Sequence, residues 1–197
     1  LLSRGLGDVY KRQVLGLVTP SGGDIRFDGT SIARISARDR RRLSRDIQVV
    51  FQDPYTSLNP SMTVGDILAE PLVIQGATAK DARSRVRTLL DQVGLPSDAI
   101  ERLPREFSGG QRQRVAIARA LAPEPRLIVC DEPVSALDLS TQARVLDLFV
   151  EIQRATGVAY LFVSHDLSVV RHISHRVAVL YRGCLLYTSD AADEGLG

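Results

Sequence analysis

Cysteine, signal sequences and long apolar runs are scarce or absent in this 197-residue sequence, and each absence excludes a class of protein. The only cysteines are Cys130 and Cys184, too few for a disulfide framework. No apolar run is long enough to span a bilayer, and no stretch has the pattern of a signal peptide. The formal net charge of +2 gives no field that favours nucleic acid. These absences predict one soluble intracellular domain, in which any membrane role needs partner subunits.

Lysine is also scarce, because Lys11 and Lys80 are the only two. Phosphate-binding loops of the type Gly-x-x-x-x-Gly-Lys-Ser/Thr need glycines for close backbone approach and a lysine that reaches the β- and γ-phosphates. Lys80 lies in Ala-Thr-Ala-Lys-Asp-Ala, without a glycine-rich turn, and Lys11 lies in a terminal segment that is set aside below. The sequence therefore contains no loop of this type.

The stretch Phe107–Asp138 begins with a pattern that suits an anion. Ser108 is followed by two glycines and Gln111, and good helix formers continue from Val115 to Ala122 before a proline. A serine cap followed by glycines leaves backbone N–H groups accessible at a helix start, where phosphate binds readily. The pattern predicts a helix with a phosphate site at its beginning.

The same stretch continues with an apolar strand and two acids. Leu127–Cys130 is rich in strand formers and fenced by prolines, as a buried parallel strand is, and it leads into Asp131 and Glu132. Open α/β sheets bind their ligands at the carboxyl ends of such strands. Taken singly, Ser-Gly-Gly is a common turn and Asp-Glu a common solvated loop. Their order, completed by Ser-Ala-Leu-Asp at Asp138, favours a functional site.

This order of motifs closely resembles the nucleotide-binding domain of ATP-binding-cassette (ABC) transporters, over nearly all of residues 14–183. The resemblance implies an α/β fold, the P-loop NTPase-like ABC nucleotide-binding domain with a helical subdomain at about 54–120. In that family the first strands and the phosphate-binding (Walker A) loop precede the part that is matched. We therefore expect this sequence to lack both, and to be inactive alone.

A second resemblance follows the predicted strand Asp46–Phe51. The string Gln52–Pro60 contains two prolines and an Asn-Pro pair, which predicts neither helix nor regular strand. Together with the preceding Val-Phe, it resembles the glutamine loop of importers for peptides, nickel or glutathione. The resemblance implies that Gln52 approaches the metal and the attacking water, and that the loop senses a membrane subunit.

The remaining sequence alternates helix and strand patterns. Apolar spacing, caps and stops predict three helices and one strand: Thr63–Ile74, Lys80–Val93, Ser140–Ala155 and Ala159–Val163. The strand leads to His165, which the resemblance makes the switch histidine that contacts the γ-phosphate. Val14–Leu17 predicts a helix end, and Asp24–Gly29 an edge strand. For the arginine-rich Ser36–Arg45, a solvated helix face is favoured over a phosphate or nucleic-acid patch.

Both ends of the sequence resemble translated sequencing adaptors. Asp-Val-Tyr-Lys-Arg-Gln can be encoded by gatgtgtataagagacag, and Cys-Leu-Leu-Tyr-Thr-Ser by tgtctcttatacacatct, which are reverse complements over nearly their whole length. Ordinary termini would make this complementarity a coincidence. We therefore predict that residues 1–13 and 184–197 are non-native and that 14–183 is a partial nucleotide-binding domain.

The resemblance implies that ATP transfers its γ-phosphoryl group to water with the help of Mg²⁺. Glu132 is then the general base or water-orienting residue, and Asp131 holds Mg²⁺ through water. Gln52 and His165 complete the γ-phosphate end, and Gln52 also approaches the metal.

The remaining site residues are expected to act across a dimer. By resemblance, Ser108, Gly109, Gly110 and Gln111 close over the ATP bound to an opposing domain. Asp138 communicates across the same dimer, a homo- or heterodimer of ABC ATPase subunits.

The implied parent protein lies at the cytoplasmic face of a bacterial or archaeal cell membrane. It binds two membrane permease subunits and, indirectly, an extracytoplasmic solute-binding protein, and it binds no nucleic acid. The imported solute, whether peptide, nickel or glutathione, stays open. The alternative is an ABC ATPase that acts on DNA or ribosomes, which the Pro54–Pro60 string does not favour.

Overall fold

A computed structural model describes residues 6–182 and 184–190. The helices are α1 Leu6–Val14, α2 Ala37–Leu43, α3 Pro54–Ser57, α4 Val64–Ile74, α5 Ala79–Gln92, α6 Gly109–Leu121, α7 Leu139–Thr156 and α8 Leu167–Ile173. The strands are β1 Arg26–Phe27, β2 Thr30–Ser31, β3 Ile47–Val50, β4 Leu127–Asp131, β5 Ala159–Val163, β6 Arg176–Tyr181 and β7 Cys184–Asp190. Short 3₁₀ helices occupy Ser97–Glu101 and Pro104–Glu106. In these ranges no helix combines the length and the apolar character that a membrane crossing requires.

The chain divides into two compact units, one of which is the continuous segment Arg45–Leu161. A three-stranded sheet has the order β3-β4-β5, and β3 pairs with β4 in parallel, with Val50 opposite Cys130. Ile128, Val129 and Cys130 are fully buried, as the unbroken apolar run of a covered parallel strand predicts. The predicted strands at 46–51, 127–130 and 159–163 are thus confirmed, and β4 runs one residue further, to Asp131.

Helices α4, α5 and α6 pack on one another and bury an aliphatic core. Its fully buried members include Leu68 of α4 and Leu89 and Leu90 of α5. The predicted helices at 63–74 and 80–93 are confirmed. Thr63 caps α4 as expected: its Oγ1 accepts from the backbone N–H of Asp66 at 3.1 Å and donates to the Asp66 carboxylate at 2.7 Å. The boundary of a helical subdomain at about 54–120 stays a prediction.

Helix α6 begins at Gly109, because Ser108 caps it. The Ser108 hydroxyl accepts from the Gln111 N–H at 3.3 Å, and the Gln111 side chain accepts from the Ser108 N–H at 2.9 Å. This reciprocal pair is a capping box. The predicted helix is confirmed, although it starts six residues before Val115.

The expectation that Gln52–Pro60 contains no helix is wrong for four of its residues, which form α3. Pro54 occupies the first turn, where a missing N–H costs nothing because that group has no intrahelical acceptor. Asp53 caps the turn by accepting from the Tyr55 N–H at 2.8 Å. Proline therefore starts this helix instead of preventing it.

The second unit consists of the chain on either side of Arg45–Leu161. The predicted edge strand at 24–29 shrinks to the two-residue β1, paired antiparallel with β2. Helix α2 buries none of its residues, as a solvated face predicts. Arg40 is nevertheless half-buried, and its guanidinium donates to the carbonyl oxygens of Val14 at 3.1 Å and Ile32 at 2.6 Å.

The adaptor-like ends fall partly in regular structure. Helix α1 includes residues up to Gln13 and ends at Val14, which agrees with the predicted helix end. Strand β7 pairs antiparallel with β6 along its length. Residues 1–5, 183 and 191–197 lie outside the described residues. Pairing says nothing about the origin of a sequence, so the non-native assignment of both ends stays a prediction.

Candidate functional site

The carboxyl ends of β3 and β4 bring together two residues that are 80 positions apart. Because Val50 and Cys130 are register partners in parallel strands, the residues just beyond them leave the sheet at the same edge. The Gln52 amide Nε2 donates to Glu132 Oε2 over 3.2 Å. The same Nε2 lies 3.2 Å from Ser135 Oγ. The structure thus places Gln52 and Glu132, both singled out from the sequence, in direct contact.

Ser135 is a member of this cluster that the sequence reasoning missed. Its hydroxyl donates to the Glu132 carbonyl oxygen at 3.1 Å, and its backbone N–H reaches the same oxygen at 3.2 Å. The hydroxyl therefore fixes the turn after Glu132 while it accepts from Gln52. The available signal was a serine three residues after an acid in Glu-Pro-Val-Ser, a spacing that suits a side chain folding back on a turn.

The backbone of Glu132 adopts a left-handed conformation, with φ of 44°. Non-glycine residues rarely take this conformation, which costs about 1–3 kcal/mol, and such residues concentrate at functional sites. This conformation occurs immediately after the buried strand β4, and it places the Glu132 carboxylate at the edge of the sheet. A carboxylate at this position can accept a proton from a water molecule that lies beside it.

Asp131 is the last residue of β4 and is half-buried. In the described part of the chain, no group of three or more His, Cys, Asp or Glu side chains could hold a metal ion. Mg²⁺ commonly binds one or two carboxylates together with substrate phosphates and water, without an all-protein cage. Asp131 at this edge, with the oxygen of the Gln52 amide, fits that donor set.

Cys130 precedes Asp131 and is completely buried in β4. Burial raises the pKa of its thiol well above the ordinary value, and the negative charge of Asp131 raises it further. Cys130 is therefore a neutral core residue, as expected from the sequence.

The Ser108–Gln111 segment forms a helix start at which Ser108 is exposed, Gly109 and Gln111 are half-buried, and Gly110 is buried. Its capping box uses the N–H groups of Ser108 and Gln111. The N–H groups of Gly109 and Gly110, in the first turn, have no intrahelical acceptor by helix geometry. These two groups are the candidates for contact with an anion.

Asp138 caps α7. Its Oδ1 accepts from the Ser140 hydroxyl at 2.7 Å and from the Thr141 N–H at 3.0 Å. Hydrogen bonds from Ser140 and Thr141 hold the pKa of this carboxyl well below its ordinary value. The residue thus has a structural role at the helix start, and its expected role across a dimer stays a prediction.

Tyr55 connects α3 to α6 in a way that the sequence did not indicate. The guanidinium carbon of Arg112 lies 4.0 Å from the centre of the Tyr55 ring, within cation–π range. Arg112 Nε also donates to the Pro104 carbonyl at 2.8 Å, and Arg119 donates to the Ser57 carbonyl at 2.5 Å. The glutamine-bearing segment is therefore attached to the helix that starts at the Ser-Gly-Gly-Gln motif.

His165 lies in the second unit, two residues beyond β5, and its side chain is exposed. The next residue, Asp166, caps α8 by accepting from the Ser168 N–H at 2.8 Å and the Ser168 hydroxyl at 2.6 Å. Its expected contact with a γ-phosphate stays a prediction.

Comparison with known proteins shows that the chain is similar in sequence to ATP-binding proteins of import systems. The sequence profile of the family described as ABC transporter matches residues 12–135. A Brucella ovis protein whose name describes a peptide import ATP-binding protein is 52% identical over 183 residues, which are 92% of this chain and 58% of that protein. The glutathione import ATP-binding protein GsiA of Shigella boydii is 52% identical over 173 residues, 87% of this chain and 28% of that protein. The chain therefore spans less than two thirds of the length of these relatives.

The fold is similar to that of a solved ATP-binding cassette. The dimeric structure of the ATP-binding cassette MJ0796, in a post-hydrolysis state bound to ADP and Pi, superposes with a TM-score of 0.81 at 28% identity. The match covers 94% of this chain and 80% of that chain. The expected α/β fold of P-loop NTPase type is thereby confirmed.

Proposed function

The chain belongs to the ABC transporter family, and from this premise we propose that it is the ATP-binding and hydrolysing part of a subunit that powers solute import. The solute class we propose is a peptide or a related small molecule, because the relatives above are named for peptide and glutathione import. The observation that carries the proposal is the 3.2 Å hydrogen bond between Gln52 and Glu132. It joins a carboxylate base and an amide at the sheet edge where such folds bind ligands.

The proposed reaction is hydrolysis of the terminal phosphoanhydride of ATP. Glu132 orients a water molecule and accepts its proton as the water oxygen attacks the γ-phosphorus, and ADP leaves with the bridging oxygen. Gln52 holds the same water through its amide, and His165 contacts a γ-phosphate oxygen. In such reactions the protein contributes chiefly position and electrostatic stabilisation.

Mg²⁺ supplies charge neutralisation on the phosphates when it is bound. Asp131, through water, and the Gln52 amide oxygen are the proposed protein contacts. The oxygen of the Gln52 amide is the atom proposed for the metal, because the nitrogen of the same amide contacts Glu132 and Ser135.

Two such chains, alike or different, would sandwich two ATP molecules. In this arrangement Ser108 to Gln111 contact the ATP of the partner, with the N–H groups of Gly109 and Gly110 as donors, and Asp138 lies at the interface. The MJ0796 cassette was seen as a dimer with ADP and Pi, which supports the proposal. Gln52 and Ser108 of one chain then serve different ATP molecules.

We further propose that the whole protein works at the cytoplasmic face of a bacterial or archaeal membrane. Its partners there are two permease subunits, with an extracytoplasmic solute-binding protein as an indirect partner. The names of the relatives support import over action on DNA or ribosomes. Co-purification distinguishes the two, because a transport subunit retains permeases, whereas a DNA-type ATPase shows salt-dependent DNA binding.

The 197-residue chain contains no Gly-x-x-x-x-Gly-Lys-Ser/Thr loop, so we propose that it turns over no ATP alone. The test measures ATP turnover by this chain and by an extended chain, in which an N-terminal segment that ends with such a loop replaces residues 1–13. Each form is compared with its Glu132→Gln variant, and Glu151→Gln, on the exposed face of α7, is the matched control.

We expect activity only in the extended chain, lost with Glu132→Gln and kept with Glu151→Gln. Robust Glu132-dependent turnover by the unextended chain would mean that some other group holds the phosphates. Turnover in the extended chain that is indifferent to Glu132 would contradict the assigned base.

A further inference from the structure

The first turn of α6 lies against the first turn of α7. Gly110 is buried, and a Cβ atom built on it would lie 2.3 Å from the γ-methyl carbon of Thr141. Carbon atoms not bonded to each other pack at about 3.5–4.0 Å, so this space is already filled. A Cβ on Gly109 would lie 3.4 Å from Leu137 Cδ2. The two glycines therefore pack on residues that flank Asp138 on either side.

Thr141 contacts both motifs. Its γ-methyl carbon faces Gly110, and its backbone N–H donates to the Asp138 carboxylate at 3.0 Å. Valine would keep this methyl, whereas serine would remove it.

A short path of hydrogen-bonded turns leads from this contact back to Glu132. The Ser135 N–H donates to the Glu132 carbonyl at 3.2 Å, and the Leu137 N–H donates to the Val134 carbonyl at 3.1 Å. Asp138 follows directly and is bonded to Thr141 at 3.0 Å. Glu132 and the Ser-Gly-Gly-Gln motif are thus connected through a short series of hydrogen-bonded turns.

We propose that Thr141 is a positioning residue that locks the Ser108–Gln111 segment to the Asp138 turn and so couples it to Glu132 of the same chain. This inference rests on the proposed function, in which Glu132 serves the chain's own ATP and Ser108–Gln111 the partner's. The contact then links two ATP sites: a shift of the Glu132–Asp138 turns moves the groups that close over the other nucleotide.

The packing contact is tested without any assumption about function, by urea unfolding of the 197-residue chain. Gly110→Ala is expected to lower the unfolding midpoint, because its methyl collides with that of Thr141. In a Thr141→Ser background the blocking methyl is gone and the nearest remaining atom, the Cβ of residue 141, lies at 3.7 Å. There Gly110→Ala should raise the midpoint, because alanine is the better helix former. The same downward shift in both backgrounds would overturn the contact.

The coupling is tested by steady-state ATP turnover of the chain extended with a phosphate-binding loop. Thr141→Ser frees the Ser108–Gln111 segment, so we expect the KM for ATP to rise several-fold and the Hill coefficient to fall toward one, with kcat changed less. Thr141→Val is the matched variant that keeps the methyl, and it should retain the KM. Equal KM and Hill coefficient in Thr141→Ser and the parent would overturn the coupling. Absence of any Glu132-dependent turnover would overturn the proposed function and the coupling together, while the unfolding result would still decide the contact.

Discussion

Gln113 carries a polar group that α6 buries completely, with an exposed fraction of 0%. Within the described residues neither its Oε1 nor its Nε2 has a hydrogen-bond partner. A buried polar group without a partner costs about 1–3 kcal/mol, because it has lost its bonds to water. This free-energy cost destabilises α6, the helix that Ser108 caps.

We therefore expect Gln113→Met, which has nearly the same volume, to stabilise the chain by about 1–2 kcal/mol in urea unfolding. Gln142→Met is the matched control, because the Gln142 Nε2 donates to the Leu137 carbonyl at 3.1 Å. That variant should lose stability by about 1 kcal/mol. A loss in both variants would mean that a bound water satisfies Gln113.

The left-handed backbone of Glu132 leads to a second prediction at this scale. Glycine adopts this conformation without strain. The free energy of unfolding of Glu132→Gly, measured with urea, should therefore exceed that of Glu132→Gln by roughly 0.5–1 kcal/mol. Both variants remove the carboxylate and should be inactive in the extended chain. The comparison therefore separates backbone strain from chemistry, and equal stabilities would show that the turn imposes no strain.

Single residues were predictable where the interaction is local. The caps Thr63 and Ser108 lie within three residues of their partners, so their sequence spacing is enough to identify them. Ser135, the Tyr55–Arg112 pair and the orphaned amide of Gln113 were not predicted. The contacts of Gln52 with Ser135 and of Tyr55 with Arg112 join residues far apart in the chain, and burial of Gln113 depends on packing from several helices.

At the scale of elements, α4 approaches the 3₁₀ helix Ser97–Glu101 so closely that a side chain is excluded. A Cβ on Gly65 would lie 2.6 Å from Ile100 Cγ1 and 2.8 Å from the Ile100 carbonyl oxygen. The Val64 N–H also donates to the Arg102 carbonyl at 2.9 Å, which fixes the approach. Backbone atoms cannot move aside as a flexible side chain can.

Gly65→Ala is therefore expected to destabilise the chain by about 1–3 kcal/mol in urea, in spite of the helix propensity of alanine. Gly22→Ala, where no atom lies within 4 Å of the added methyl, should change stability little. A neutral Gly65→Ala would show that α4 can withdraw from Ile100.

The cap of α7 predicts a pH dependence. A carboxyl whose pKa is depressed in the folded state contributes stability above its unfolded pKa and loses it as the pH falls toward the folded value. Asn can cap a helix without titrating. The stability advantage of the parent over Asp138→Asn should thus be full at neutral pH and shrink from about pH 5 to about pH 2. An advantage that does not change over this range would contradict a charged cap.

Most elements followed from patterns of burial and capping in the sequence. Strand β4 is an unbroken apolar run up to Asp131, β3 is apolar except for Gln48, and α4 and α5 stop just before Gly76 and Gly94. Helix α3 is not predicted by the helix-breaking character of proline, because Pro54 lies in its first turn, where proline is tolerated. The edge strand at 24–29 was overestimated, since a turn at Asp28 and Gly29, both with positive φ, interrupts it.

On the scale of the whole molecule, charge provides the sharpest test of partners. The net charge is +2, but Arg38, Arg41 and Arg42 are exposed together on α2. We expect no micromolar binding of duplex DNA at about 0.15 M salt, measured by fluorescence anisotropy. Tight binding with a steep salt dependence, lost when these three arginines become glutamine, would favour the DNA-type ATPase instead.

Alkylation of the buried Cys130 thiol can measure how often the sheet around β4 opens. This thiol is sealed inside β4, whereas Cys184 is exposed, so an alkylating reagent should modify Cys184 at once and Cys130 only when the sheet opens. In a Cys184→Ser variant, the alkylation rate would count openings of the strand that ends at Asp131. Added ATP and Mg²⁺ should lower the alkylation rate of Cys130 in a chain that binds them at this edge of the sheet. The rate should not change in a chain that does not bind them.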